Sequence, residues 1–299
     1  MRSLYLVVGA NGFLGSYVIQ QILDQTEEGI LATARSLNQV INYGKRVSWQ
    51  ELDVSYFPAI QCLAKGLRDI APLKILYLAA YHHPDEVARK PQLAWHINVT
   101  CLSYFLNCFS YAKCCFYPST EMVYGESAEG TPLAEDAELH PVNLYGEQKV
   151  VAEAIVRGYH HHVVRFPVLM GPSLLRHKKH FYDLIVRHLE QGESVNMFQD
   201  TKKSMLDFRT AARLLVRLTK LPVEIVPSIL NVSGDEALSK YDVGLRIAEK
   251  HHADATLIHP ISQSSDHTIF QMKRPQQTVL DNGKLKQLLG LSSIKMQYE

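Results

Sequence analysis

Apolar and polar positions follow two periods along this chain, and the switching between them lays out an α/β order. Leu4 to Val8 is a continuous apolar run of strand length, and Phe13 to Leu23 repeats its apolar positions at helical spacing. Ile30 to Ala34 and Val47 to Leu52 read as the next strands, Ala59 to Arg68 as a helix, and Lys74 to Leu78 as a fourth strand. Leu93, Ile97, Leu102, Phe105 and Phe109 predict one helix over roughly Val87 to Tyr111. Asn98 interrupts its apolar face; a buried amide must be hydrogen-bonded, so it is expected to tie the helix to neighbouring backbone. A fifth strand over Cys114 to Tyr117, a helix opening near Asn143, and a sixth strand over His162 to Phe166 follow.

Beyond Phe166 the pattern is less regular. It predicts a helix from Arg176 to Glu190 with a basic start, a strand from Val195 to Phe198, and Thr210 as the N-cap of a helix from Ala211 to Thr219. A strand from Ile229 to Val232 and a helix from Lys240 to His251 precede irregular sequence up to Arg274. Strands alternating with helices predict a doubly wound, parallel-sheet Rossmann fold. Residues 1–166 are expected to form its dinucleotide-binding domain, 204–235 to return to it, and most of 167–299 to form a smaller C-terminal substrate-binding lobe.

The first strand feeds its helix through Gly9-Ala10-Asn11-Gly12-Phe13-Leu14-Gly15. Gly9 suits the tight turn, Gly12 admits a pyrophosphate close to the backbone, and Gly15 lets helix and strand pack closely. The helix N-terminus offers N–H groups and a positive dipole end to phosphate, with Asn11, Phe13 and Leu14 completing the cofactor-binding turn. At the end of the second strand an acid would bond the ribose 2′-hydroxyl of NAD; Arg35 stands there and suits a 2′-phosphate, favouring NADP over NAD. Asp53 with Val54 could reach the adenine, and Ala79, Ala80 and Tyr81 leave room for the cofactor, with Asn98 beside them.

Tyr145 and Lys149 are four residues apart and share one helical face. A nearby cation lowers a tyrosine pKa by about 1–3 units, so Lys149 is expected to lower that of Tyr145 and prepare it for proton transfer. The hydroxyl of Thr120, at a strand end, could hold the substrate oxygen beside it.

These motifs resemble the extended short-chain dehydrogenase/reductase family: the glycine turn, Ser119-Thr120 at a strand end, and Tyr145 with Lys149. Ala79-Ala80-Tyr81, Asp85-Glu86, Pro91-Gln92-Leu93-Ala94-Trp95 and Arg274-Pro275-Gln276-Gln277-Thr278-Val279-Leu280-Asp281 are similar to its dTDP-4-dehydrorhamnose reductase branch. The resemblance implies NADPH-dependent reduction of a 4-keto-6-deoxy sugar nucleotide by Thr120, Tyr145 and Lys149. It also implies Phe166 and Pro167 against the nicotinamide, and Glu121, Met122 and Arg274 at the substrate. Dehydratases of the family carry Thr-Asp-Glu where this chain has Thr120-Glu121-Met122, and 3,5-epimerase-reductases carry a cysteine where Glu121 stands. A 4-epimerase and a non-catalytic, NADP-binding regulatory subunit stay open as alternatives.

At 299 residues and net charge +1, composition gives no sign of a nucleic-acid partner. No apolar run is long enough to span a membrane and the N-terminus enters a strand at once, so a cytoplasmic protein without a signal peptide is expected. A nucleotide sugar and a second copy in a homodimer are the expected partners. Cys62, Cys101, Cys108, Cys114 and Cys115 form no C-x-x-C pair and read as buried free thiols. His82 and His83 read as loop residues, and His160 to His162 as surface residues, with no metal site.

Overall fold

The computed structural model describes residues 3–70, 72–128, 131–263 and 270–298. Its first half alternates strand and helix: β1 (Leu4–Val8), α1 (Phe13–Gln25), β2 (Gly29–Ala34), β3 (Val47–Glu51), α2 (Phe57–Leu67) and β4 (Leu73–Tyr77). Three short helices follow, α3 (Pro84–Arg89), α4 (Pro91–Trp95) and α5 (Cys101–Cys108), with a π-helical turn at His96–Thr100 between the last two. Then come β5 (Cys114–Thr120), α6 (Leu144–Gly158), β6 (His162–Phe166) and β7 (Val168–Met170). The remainder holds α7 (Phe181–Glu190), β8 (Val195–Phe198), β9 (Lys202–Asp207), α8 (Phe208–Thr219), β10 (Ile229–Asn231), β11 (Ala237–Leu238), α9 (Lys240–Lys250), β12 (Ile258–Ile261), β13 (Gln277–Thr278) and α10 (Gly283–Leu289).

Seven parallel strands form the main sheet in the order β10-β6-β5-β4-β1-β2-β3. The chain winds outward from β1 to β3 and then returns to β4 on the other side of β1. The reversal leaves a crevice beyond the carboxyl ends of β1 and β4, the position where such sheets bind ligands. Tyr17, Ile19, Phe208 and Leu215 pack on one face of the sheet, and Leu63, Phe105, Phe109 and Val156 on the other. Burial on both faces explains why the central strands read as unbroken apolar runs. A smaller sheet centres on β9, which pairs with β7, β11 and β13, while β8 pairs with β12. α7 and α9 cover these smaller sheets through Ile185, Val243 and Ile247.

Several elements differ from the expectation. The single helix over Val87 to Tyr111 is broken, because Pro91 starts a new helix and lacks the N–H that continuation needs. Its apolar spacing also lengthens to five between Ile97 and Leu102, where the π-helical turn inserts the extra residue. The Arg176 start is too early: His180 caps α7 in a reciprocal box with Asp183, leaving the basic residues in the preceding loop. Asp207, not Thr210, caps α8, its carboxylate accepting the Thr210 N–H at 2.7 Å. β12 occupies part of the stretch expected to be irregular, of which residues 264–269 lie outside the described residues.

His161 and His162 are buried rather than at the surface. The His162 ring stacks on Phe116 at 4.8 Å, and its Nδ1 pairs with the Pro227 carbonyl at 3.1 Å. Cys62 is exposed and Cys108 partly so, whereas Cys101, Cys114 and Cys115 are buried; all five are free thiols. Among the described residues no helix is long and apolar enough to cross a membrane.

Candidate active site

The glycine turn opens into the crevice between β1 and β4. Gly9 has φ +77°, and a Cβ there would lie 2.9 Å from the Ala79 nitrogen, so only glycine allows the two strand ends to approach. A Cβ on Gly15 would meet the Ala10 carbonyl at 2.5 Å. Gly12 is the N-cap of α1, and no side chain caps the helix. Its first N–H groups therefore face the crevice with the positive end of the helix dipole, a combination suited to an anion.

Arg35 is exposed immediately after β2. The Asp53 carboxylate accepts from the N–H and hydroxyl of Ser55 at 2.9 and 2.7 Å, contacts that hold its pKa below the usual carboxylate value. Asn98 does what a buried amide requires: it accepts from Tyr81 N at 2.8 Å, donates to Tyr81 O at 2.9 Å and donates to Gln148 Oε1 at 2.8 Å. The Ala79-Ala80-Tyr81 segment is thereby fastened to α6 through Gln148, a residue that the sequence reading did not single out. Val54, Phe166 and Pro167 are buried, the latter two at the end of β6.

α6 begins where Asn143 accepts the Gly146 N–H at 2.9 Å, and the same side chain donates to Lys273 O at 3.0 Å. A Cβ on Gly146 would sit 2.7 Å from the Met122 carbonyl, so this glycine lets the helix lie against the turn after β5. Tyr145 consequently packs with Met122 and Tyr81. Thr120 donates its hydroxyl proton to Glu121 Oε2 at 3.2 Å and accepts from Met122 N at 3.3 Å. Ser119 instead donates to Glu153, beneath the site.

Electrostatics in the free protein differ from the expected pairing of lysine and tyrosine. Burial first, and then the Glu121 charge, raise the Tyr145 pKa well above its ordinary value instead of lowering it. Burial pushes the Lys149 ammonium down to about 7. Lys149 Nζ donates to Tyr117 OH at 2.9 Å and to Pro118 O at 2.8 Å, and it lies 5.8 Å from the centroid of the Tyr145 ring. Desolvation of both groups outweighs their mutual attraction.

Beneath Lys149, one helical turn along α6, Glu153 forms a buried ion pair with Arg165 at 2.6 Å. Arg165 also donates to Tyr124 OH at 2.7 Å and Glu135 O at 3.0 Å, so this network joins α6 to β6 directly under the site.

The smaller sheets contribute cations. Lys203 faces Glu121 at 3.5 Å, with both side chains buried. The sequence shows only a Lys202-Lys203 pair; in β9 Lys202 is exposed and every residue from Lys203 to Asp207 is buried. Lys240 lies over the rings of Phe181, Phe198 and Phe270 at 5.3 to 5.6 Å. Arg274 stacks on Phe270 at 3.7 Å and donates to Asp85 Oδ2 at 2.9 Å, tying its segment to α3.

The profile of the RmlD substrate binding domain family matches residues 2–299. Methionine adenosyltransferase 2 subunit beta of Xenopus laevis is 24% identical over 299 residues, covering 95% of this chain and 81% of that protein. The dTDP-4-dehydrorhamnose reductase of Bacillus anthracis, solved with NADP, superposes with a TM-score of 0.80 at 18% identity, covering 99% of this chain and 96% of the other. The UDP-glucuronic acid 4-epimerase of Bacillus cereus, solved with UDP-glucuronic acid and NAD, gives 0.80 at 20% identity, covering 98% and 94%.

Proposed function

The chain belongs to the RmlD substrate binding domain family, within the extended short-chain dehydrogenase/reductases, and from that premise we propose that it is an NADPH-dependent reductase of a 4-keto-6-deoxy sugar nucleotide. What supports this reading is Tyr145 packed with Met122, two residues after Thr120, and with Tyr81, with Lys149 on the same helix 5.8 Å from its ring, together with an α1 N-terminus that no side chain caps. The residues fit a dinucleotide: Gly9 and Gly15 admit no Cβ, and the N–H groups of α1 lack a side-chain cap. NADPH, when bound, supplies the hydride.

The protein supplies proton and position. Burial and Glu121 keep the Tyr145 phenol protonated, which makes it a donor to an oxygen that gains negative charge. Lys149, released from Tyr117, holds the ribose and stabilises the tyrosinate left behind. Thr120 orients the substrate oxygen, and Lys203, Lys240 and Arg274 bring positive charge to a nucleotide-sugar phosphate.

A second reading, an NADP-binding regulatory subunit, is favoured by the 24% identity over 95% of the chain to methionine adenosyltransferase 2 subunit beta. NADPH oxidation measured across 4-keto sugar nucleotides, dTDP-4-dehydrorhamnose first, separates the two. Turnover supports the reductase; tight cofactor binding with no turnover on any of them supports the regulator.

A further inference from the structure

We propose that Lys178, on the loop between β7 and α7, acts with Arg35 to hold the 2′-phosphate of the cofactor, so that a residue far along the chain completes the dinucleotide site. The inference rests on the dinucleotide reading above. Lys178 Nζ donates to the Asn11 carbonyl at 2.8 Å, reaching the glycine turn across 167 residues of sequence. Its loop is built to stay there. Tyr17 OH donates to Pro172 O at 2.9 Å, and Asp183 accepts from Ser173 N at 3.0 Å and His180 N at 2.7 Å. The His180 ring sets its edge against Phe13 at 5.1 Å and Phe208 at 5.0 Å, fastening the loop to α1.

Among the described residues no ion pair engages Lys178; the charge that acts on it is Arg35, of like sign. Loss of hydration first, and Arg35 second, lower its pKa from the ordinary lysine value. Arg35 also lies within reach of the Asp53 carboxylate, which stays charged and accepts both Ser55 hydrogen bonds through Oδ1, so Lys178 is the cation of this pair with no acid beside it among the described residues. Two cations that repel each other at the edge of the cofactor crevice are complemented by a group carrying about two negative charges, as a phosphate monoester does near neutral pH.

The test is a fluorescence titration of NADPH and NADH against the full chain, its Lys178→Met and Lys178→Arg variants, and Arg35→Ala. Lys178→Met is expected to weaken NADPH by about tenfold or more and NADH by less than about twofold, with Lys178→Arg close to wild type. Binding of 2′,5′-ADP, which carries the phosphate without nicotinamide, should follow NADPH. Equal losses for NADH and NADPH would show that Lys178 only holds the loop, and an unchanged NADPH affinity would remove it from the site. Either result overturns the inference while leaving the dinucleotide reading standing. Wild-type protein that binds neither nucleotide overturns the dinucleotide reading itself, and the inference with it.

Discussion

The Thr120 hydroxyl donates to the Glu121 carboxylate at 3.2 Å, which commits the one proton that could polarise a substrate carbonyl. While that bond persists, Thr120 can only accept, so a keto group must draw the hydroxyl away from Glu121 to be oriented by it. Glu121 in turn faces Lys203, and it is the charged neighbour that adds to the raised pKa of Tyr145.

Glu121→Gln should therefore shift the titration of Tyr145 to lower pH, read as an earlier alkaline fall in kcat/KM for reduction. It also leaves the buried Lys203 without its acid, so the variant should melt at a lower temperature than wild type. An unshifted alkaline limb would separate Glu121 from Tyr145 electrostatically.

The direction of the Tyr145 shift gives a pH profile. With its pKa raised, the phenol is protonated throughout the ordinary range, so the reduction rate should show no fall from this group between about pH 6 and 9. Oxidation of the alcohol product needs tyrosinate and should rise by about tenfold per pH unit over the same range. A plateau in the oxidative direction near neutral pH would contradict this environment for Tyr145.

Lys149 titrates at about 7 in the free protein, and it is charged below that value. A bound ribose and pyrophosphate favour the ammonium, so binding should take up a proton above pH 7 and NADH affinity should fall as pH rises from there. NADH is the better probe because it has no 2′-phosphate to titrate. Lys149→Met should bind more weakly, with the lysine-dependent slope lost.

The Arg165–Glu153 pair is almost wholly buried, and Glu153 also accepts from Ser119. Arg165→Met leaves a buried carboxylate uncompensated and should cost about 3–5 kcal/mol of stability, measured by denaturant unfolding. Replacing both residues by apolar ones of similar volume should recover part of the loss.

The parallel order was legible in the sequence because strands buried on both faces keep long apolar runs, and the glycine turn marks where the first strand passes into its helix. The helical offset of Tyr145 and Lys149 was equally visible. Their electrostatics were not, since attraction between them can be read from spacing, while the desolvation that overrides it depends on neighbours such as Tyr117 and Met122. β9 was hidden because two lysines open it, although Lys203 is buried against Glu121. His162 looked polar in a row of histidines, yet its ring stacks on Phe116 and its Nδ1 has a backbone partner.

The central claim is that Tyr145 delivers a proton during hydride transfer to a nucleotide-bound keto sugar. The most direct measurement is NADPH consumption with dTDP-4-dehydrorhamnose by wild type and by Tyr145→Phe, with NADPH affinity determined for both. The account predicts turnover by wild type, a kcat lower by about 10²–10⁴-fold in the variant, and nearly equal cofactor affinities. Wild-type-like turnover in Tyr145→Phe, or tight NADPH binding with no consumption by the wild type, would contradict it.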